Sequence, residues 1–266
     1  MAPPNVIVTG ASQGIGEELA YEFSRRRCRL VITARRLAKL EAVKERCLEL
    51  GAADCIVVST DMADEDQVTE LAKVVIRTYR HHLDYLVLNH KGDSPQRFWQ
   101  GSDADYAFFK RTFQCNVFAN VRLTSLLLPF LERASGQVVV CSSLVAKYSY
   151  PRQATYSSSK RALDGFFQGL RTELKMQRTD VGVTVCSLGA IDTQGLRDNL
   201  DGLTAQRVLR LALPADKCAL AIVAAAYKRK QELFYPWFGG RLVALMAALP
   251  FGITLLDYLV PYFAPE

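Results

Sequence analysis

Six short runs of apolar, mostly β-branched residues recur along the chain: NVIVTG, RLVITA, DCIVVST, LDYLVLNH, GQVVVCSS and GVTVCSLG. They show little polar alternation, which marks strands buried on both faces. Helix-length segments separate them, near Glu17–Arg26, Leu37–Leu50, Glu65–His81, Asp103–Leu131, Gln153–Gln177 and Pro214–Lys230. Doubly covered strands alternating with helices describe a parallel sheet. Right-handed crossovers then make it a doubly wound α/β fold of three layers, α/β/α. A chain of 266 residues fits one such domain, taken here as 1–238, with a hydrophobic carboxy-terminal segment at 239–266.

The first strand runs into TGASQGIG, where Gly10, Gly14 and Gly16 stand in the pattern T-G-x-x-x-G-x-G. Glycines there permit a tight turn and let backbone N–H groups approach a pyrophosphate at the positive end of the next helix. The pattern by itself also suits a plain strand–helix turn. Its place at the first βα junction of an alternating chain points to a Rossmann-type dinucleotide site. An NAD site wants an acid at the end of strand two, but the chain reads ITARR there, and the first acid after it is Glu41. Arg35 and Arg36 offer guanidinium groups suited to a 2′-phosphate, so the expected cofactor is NADP(H).

Charge and cysteine content exclude other classes. The net charge is +6 and the arginines are scattered, which does not make a nucleic-acid surface. Seven cysteines, with no C-x-x-C pair, read as buried free thiols rather than a zinc site or disulfide framework. No histidine pair has zinc-ligand spacing, and no metal is expected. His90 reads as structural, and His81 and His82 as the surface end of a helix.

YSSSK places Tyr156 and Lys160 four residues apart, one turn from each other on one helix face. Such a pair is either an ordinary solvated one or a phenol beside the cation that makes it acidic. Together with TGASQGIG, LVLNH, Asn116 and VVVCSS, in this order, the chain resembles the short-chain dehydrogenase/reductases over nearly its whole length. LVLNH, SSLVAKYSYP, YSSSKRALDGFF and LGAIDT are most similar to the 11β-hydroxysteroid dehydrogenase type 1 branch.

The resemblance implies a catalytic tetrad of Asn116, Ser143, Tyr156 and Lys160. It implies cofactor contacts at Thr9, Gly10, Ser12, Gln13, Gly14, Ile15, Gly16, Arg35, Arg36, Asp61, Met62, Asn89, Tyr156, Lys160, Ile191 and Thr193. Gln13 stands where many NADP-dependent relatives are basic, which leaves the 2′-phosphate to Arg35 and Arg36. In this scheme Tyr156 is the acid–base and Lys160 favours its phenolate and holds the nicotinamide ribose. Ser143 steadies the substrate oxygen, and Asn116 binds a water that links Lys160 to solvent.

Substrate is expected beyond the carboxyl ends of the strands, against Ser143, Leu144, Tyr150, Tyr156, Leu188 and Ala190, with Val145, Tyr148, Gly189 and Leu196 nearby. That apolar set suits a steroid-like substrate, and equally a retinal, lipid or xenobiotic carbonyl. A dinucleotide-binding sensor without turnover is the reading of a different class. The tail at 240–263 carries Pro250, Gly252, Asp257 and Pro261, which favour two short helices over a single span. Those helices serve a membrane interface or a dimer arm. The resemblance implies membrane attachment, at the endoplasmic reticulum, and a homodimer. Met1–Pro4 carry no signal-peptide pattern, so a cytoplasmic location stays open.

Overall fold

A computed structural model describes residues 2–80, 82–198 and 208–263. His81 and the last three residues of the tail lie outside the described set. Seven parallel strands form the main sheet: β1 (Asn5–Thr9), β2 (Arg29–Ala34), β3 (Asp54–Ser59), β4 (Tyr85–Leu88), β5 (Gln137–Ser143), β6 (Gly182–Leu188) and β9 (Glu232–Tyr235). Their order across the sheet is β3-β2-β1-β4-β5-β6-β9, and β7 (Ile191–Asp192) pairs with β8 (Leu213–Pro214) beside it. The order reverses between β1 and β4, which opens a crevice beyond their carboxyl ends.

Alternate residues of each strand feed opposite cores. Val6, Val8, Leu30, Ile32, Val139 and Cys141 pack under α1 (Gly14–Ser24), α2 (Leu37–Glu49) and α8 (Ala215–Tyr227). Ile7, Val31, Leu86, Leu88, Val138 and Val140 pack under α3 (Glu65–Tyr79), α5 (Ala119–Ala134) and α6 (Ala154–Met176). Both faces are therefore dry, as the unbroken apolar runs require. All seven cysteines are buried and free.

Two elements differ from the reading of the sequence. The segment expected as one helix over Asp103–Leu131 is α4 (Asp103–Phe113), a π-turn over Gln114–Phe118, and α5. The π-turn inserts one wider loop of backbone and contains Asn116, the kind of local irregularity that gathers at functional sites. The seventh strand, β9, has no counterpart in the sequence reading: ELFY is short, opens on a glutamate and runs into Pro236, so no apolar run announces it.

The carboxy-terminal segment is two helices, α7 (Gln194–Arg197) having come earlier: α9 (Trp237–Ala248) and α10 (Gly252–Phe263). No helix among the described residues is long and apolar enough to cross a membrane. The boundary drawn at 238/239 falls inside α9. A side chain at Gly240 would meet Leu144 at 3.1 Å and Phe234 at 3.2 Å, so the start of this segment is packed onto the domain.

Candidate active site

The turn after β1 is shaped by three close approaches. Gly10 has φ +68, and a Cβ there would lie 2.8 Å from the His90 backbone. Gly14 has φ +61 and sits against Thr193, while a Cβ at Gly16 would fall 2.2 Å from the Gly10 carbonyl oxygen. Only glycine fits at these positions. Gln13, the residue before α1, makes no capping hydrogen bond with its side chain. The first N–H groups of α1 thus keep their capacity to bind an anion. That cradle and its donors fit a dinucleotide pyrophosphate.

Around it, Asn89 donates through Nδ2 to the Thr9 and Gly10 carbonyls at 3.1 and 3.3 Å, tying the end of β4 to the turn. Arg36 donates to Ser12 Oγ at 3.1 Å, which brings one guanidinium to the rim of the turn. Arg35 pairs with Asp93 at 3.3 Å across an exposed contact that water weakens. At the end of β3, Met62 is buried and Asp61 accepts from the Ala63 N–H and pairs with Arg111. Ile15 lies partly buried against the core, Ile191 is buried, and Thr193 Oγ1 accepts from the Leu196 N–H at the start of α7.

Tyr156 and Lys160 do lie together, on the first two turns of α6. The Tyr156 phenol lies beside Ser143, the last residue of β5, whose Oγ accepts from the Val145 N–H at 3.3 Å. Burial pushes the phenol up to about 12, against the lowering effect of Ser143. Lys160 Nζ is 5.9 Å from the Tyr156 ring centre and donates to the Cys141 carbonyl at 2.8 Å. Burial draws its ammonium down to about 8, with the Cys141 thiol opposing. The expected depression of the phenol by Lys160 is therefore absent from this geometry. Desolvation dominates both groups, and the ammonium is turned toward backbone.

Asn116 is fully buried, and its side chain is committed to protein: Oδ1 accepts from the Gly92 N–H at 2.8 Å and Nδ2 donates to Ser159 Oγ at 3.0 Å. Ser159 Oγ in turn donates to the Tyr156 carbonyl at 2.7 Å. Asn116 reaches the first turn of α6 through Ser159, a residue absent from the expected tetrad. Its signal was position: on α6, Ser159 falls next to Lys160 on the buried face.

The reading also passed over the groups that hold β5 against α6. Lys147 pairs with buried Asp164 at 2.8 Å, and Arg161 Nε donates to the Ala146 carbonyl at 2.8 Å. They fix the turn that carries Ser143. His90 bridges Thr9 Oγ1 at 2.9 Å and the Cys115 carbonyl at 3.0 Å, and burial lowers it to about 4, so it is neutral.

On the substrate side, Leu188 is buried and its carbonyl accepts from Ser143 Oγ at 3.3 Å. Leu144 lies between Gly189 and Gly240, and Tyr150 meets Tyr148 edge to face at 5.6 Å. Ala190 is half-buried and accepts from the Leu213 N–H at 3.0 Å, joining the small sheet. Val145 and Leu196 are half-buried beside them.

The family model for short chain dehydrogenases matches residues 4–203. The chain belongs to the short-chain dehydrogenase family. Within this oxidoreductase family it is 41% identical, over 90% of its length and 80% of the relative's, to a hydroxysteroid 11-beta-dehydrogenase 1-like protein of Xenopus tropicalis. It is 41% identical to the protein of the same name from Gallus gallus, over 92% of this chain and 83% of that one. Among solved structures, a short chain dehydrogenase from Burkholderia cenocepacia in complex with NADP superposes with TM-score 0.76 at 25% identity, covering 87% of this chain and 95% of that one. A family member from Burkholderia phymatum in complex with NAD reaches TM-score 0.80 at 19% identity, over 96% and 95% of the two chains.

Proposed function

We propose that this chain is an NADP(H)-dependent oxidoreductase that interconverts a secondary alcohol and a ketone on a lipophilic, steroid-like substrate. The observation that carries it is the half-buried Tyr156 phenol, beside Ser143 and one turn from Lys160. The glycine cradle at the same end of the sheet supports a dinucleotide. Arg35 and Arg36, with no acid at the end of β2, support NADP(H) over NAD(H). The names of the relatives support the steroid-like substrate.

NADP(H) would be held by the turn from Gly10 to Gly16, by Arg35 and Arg36 at the 2′-phosphate, and by Lys160 and Thr193 nearer the nicotinamide. When bound, the nicotinamide supplies or accepts the hydride. Tyr156, protonated at neutral pH, is set to give its proton to a ketone oxygen, and takes one from an alcohol in the reverse direction. Ser143 Oγ donates to that same oxygen as negative charge grows on it. Asn116 and Ser159 hold the turn of α6 on which the phenol rides. The apolar wall of Leu144 and Leu188 excludes water.

The tail supports a membrane-surface contact: Trp237, Phe238, Leu245, Phe251, Ile253 and Tyr258 are all exposed on α9, α10 and the turn between them. Exposed Tyr106 and Phe118 on the α4–α5 segment, with Phe166 on α6, support a homodimer. The decisive experiment follows tryptophan-excited fluorescence of bound NADPH, with NADH as the comparison, then adds cortisone or retinal. Tight NADPH binding followed by ketone-dependent oxidation supports the reading; preference for NADH, or binding without turnover on a wider carbonyl panel, removes it.

A further inference from the structure

The mouth above Tyr156 carries cations that neither the tetrad nor the glycine cradle employs. Lys91, just past the end of β4, holds its ammonium 6.0 Å from the Tyr156 ring centre. It donates to Ser94 Oγ at 3.0 Å. The next acid along the chain, Asp93, pairs with Arg35 at 3.3 Å. No carboxylate comes within 4.0 Å of Lys91 among the described residues.

Arg152 stands just before α6, on a backbone with φ 66, and its guanidinium lies over the Phe98 ring at 4.8 Å. It too has no ion pair among the described residues. The third cation there, Arg97, is neutralised by buried Asp105 at 3.0 Å. Ser94, Phe98, Trp99, Arg152 and Tyr156 line one small pocket, and Lys91 reaches its edge through Ser94.

Lys91 is an exposed residue, yet its ammonium sits near the Tyr156 ring and against Ser94 Oγ. Desolvation draws its pKa below the ordinary lysine value, with Asp93 opposing. A solvated surface lysine shows no such effect. A neutral apolar substrate closing over Lys91 and Arg152 would strip their water and offer nothing in return. An anion would offset that cost, and a charge-assisted hydrogen bond is among the stronger contacts a cleft can make.

We propose that the substrate of this site carries an anionic group, a carboxylate or sulfate, on its lipophilic body. Lys91 holds that group near the reacting carbon, Arg152 adds to the field at the outer rim, and the body lies along Phe98 and Trp99. The proposal rests on Tyr156 being the acid–base centre. An anion at Lys91 has a second possible source in the phosphates of the cofactor, and the experiment separates the two.

NADPH-loaded protein is titrated calorimetrically with oxo-acids that differ in the spacing between ketone and carboxylate, each beside its methyl ester. Ketone reduction is followed in parallel. At least one acid is expected to bind about tenfold more tightly than its ester, the worth of one charge-assisted contact. Lys91→Met removes that preference, Lys91→Arg restores it, and NADPH affinity stays the same in both. Esters that bind as well as acids throughout overturn the proposal, as does a Lys91→Met variant whose loss is in NADPH affinity. Acid preference in binding without any reduction keeps the anion subsite and removes the oxidoreductase reading. Reduction of both forms with equal KM does the opposite.

Discussion

Burial governs the chemistry of single residues here more than charge does. Tyr156 is raised to about 12 and Lys160 lowered to about 8, both chiefly by desolvation. At pH 7 the phenol is thus protonated and the ammonium still mostly charged, the state suited to ketone reduction. Reductase activity should hold below about pH 8 and fall as Lys160 loses its proton, while Tyr156→Phe should lower turnover by about 10²–10⁴-fold with NADPH affinity nearly intact. Steady-state rates from pH 6 to 10 and a fluorescence titration check both; a Tyr156→Phe enzyme of normal activity sinks the assignment.

His90 gives a stability test of the opposite sense. Its folded pKa, about 4, lies below the ordinary 6.5, so between those values the unfolded chain binds the extra proton. Stability is fully present above pH 6.5, falls as pH drops through that window, and loses about 3 kcal/mol by pH 4 from this residue. Urea midpoints at pH 7 and 4.5 should differ less in His90→Asn than in the parent.

At the scale of elements, the site is an agreement between α6, the π-turn and the turn after β1. Ser159→Ala leaves the Asn116 amide buried without its acceptor, which costs about 1–3 kcal/mol and loosens the catalytic turn. Denaturant unfolding should show the loss, and kcat should fall more than NADPH affinity. A variant with parental stability would mean the link is idle. Gly16→Ala acts differently, since its Cβ would meet the Gly10 carbonyl at 2.2 Å and force the cradle open. NADPH binding should weaken by more than tenfold in the fluorescence titration.

For the whole molecule, the tail has two helices, of which the first is packed on the domain near Gly240. α9 is packed on Leu144 through Gly240, so cutting the chain at 240 would open the substrate wall as well as remove any membrane contact. Removing 249–266 leaves α9 in place. That truncation should weaken flotation on liposomes, leaving only the exposed apolar residues of α9, while retaining most turnover of a water-soluble ketone. Unchanged flotation would assign the membrane contact to α9 rather than α10, and light scattering of the same protein reports whether the α4–α6 faces hold a dimer.

The sheet, its two dry faces and the glycine cradle were legible in the sequence, because a strand buried on both faces must be apolar throughout and a close backbone approach admits only glycine. That Tyr156 and Lys160 share one helix face was legible too, as a four-residue spacing, whereas Ser143 came only from the family resemblance. The sequence could not show Ser159 beneath Asn116, the Lys147–Asp164 clamp, β9, or Lys91 near the Tyr156 ring. Those depend on contacts between distant segments, where a serine or a lysine looks the same whether solvated or enclosed. Even the direction of the Tyr156 shift was a tertiary matter, since it follows from how much water the fold leaves around the phenol rather than from the lysine four residues away.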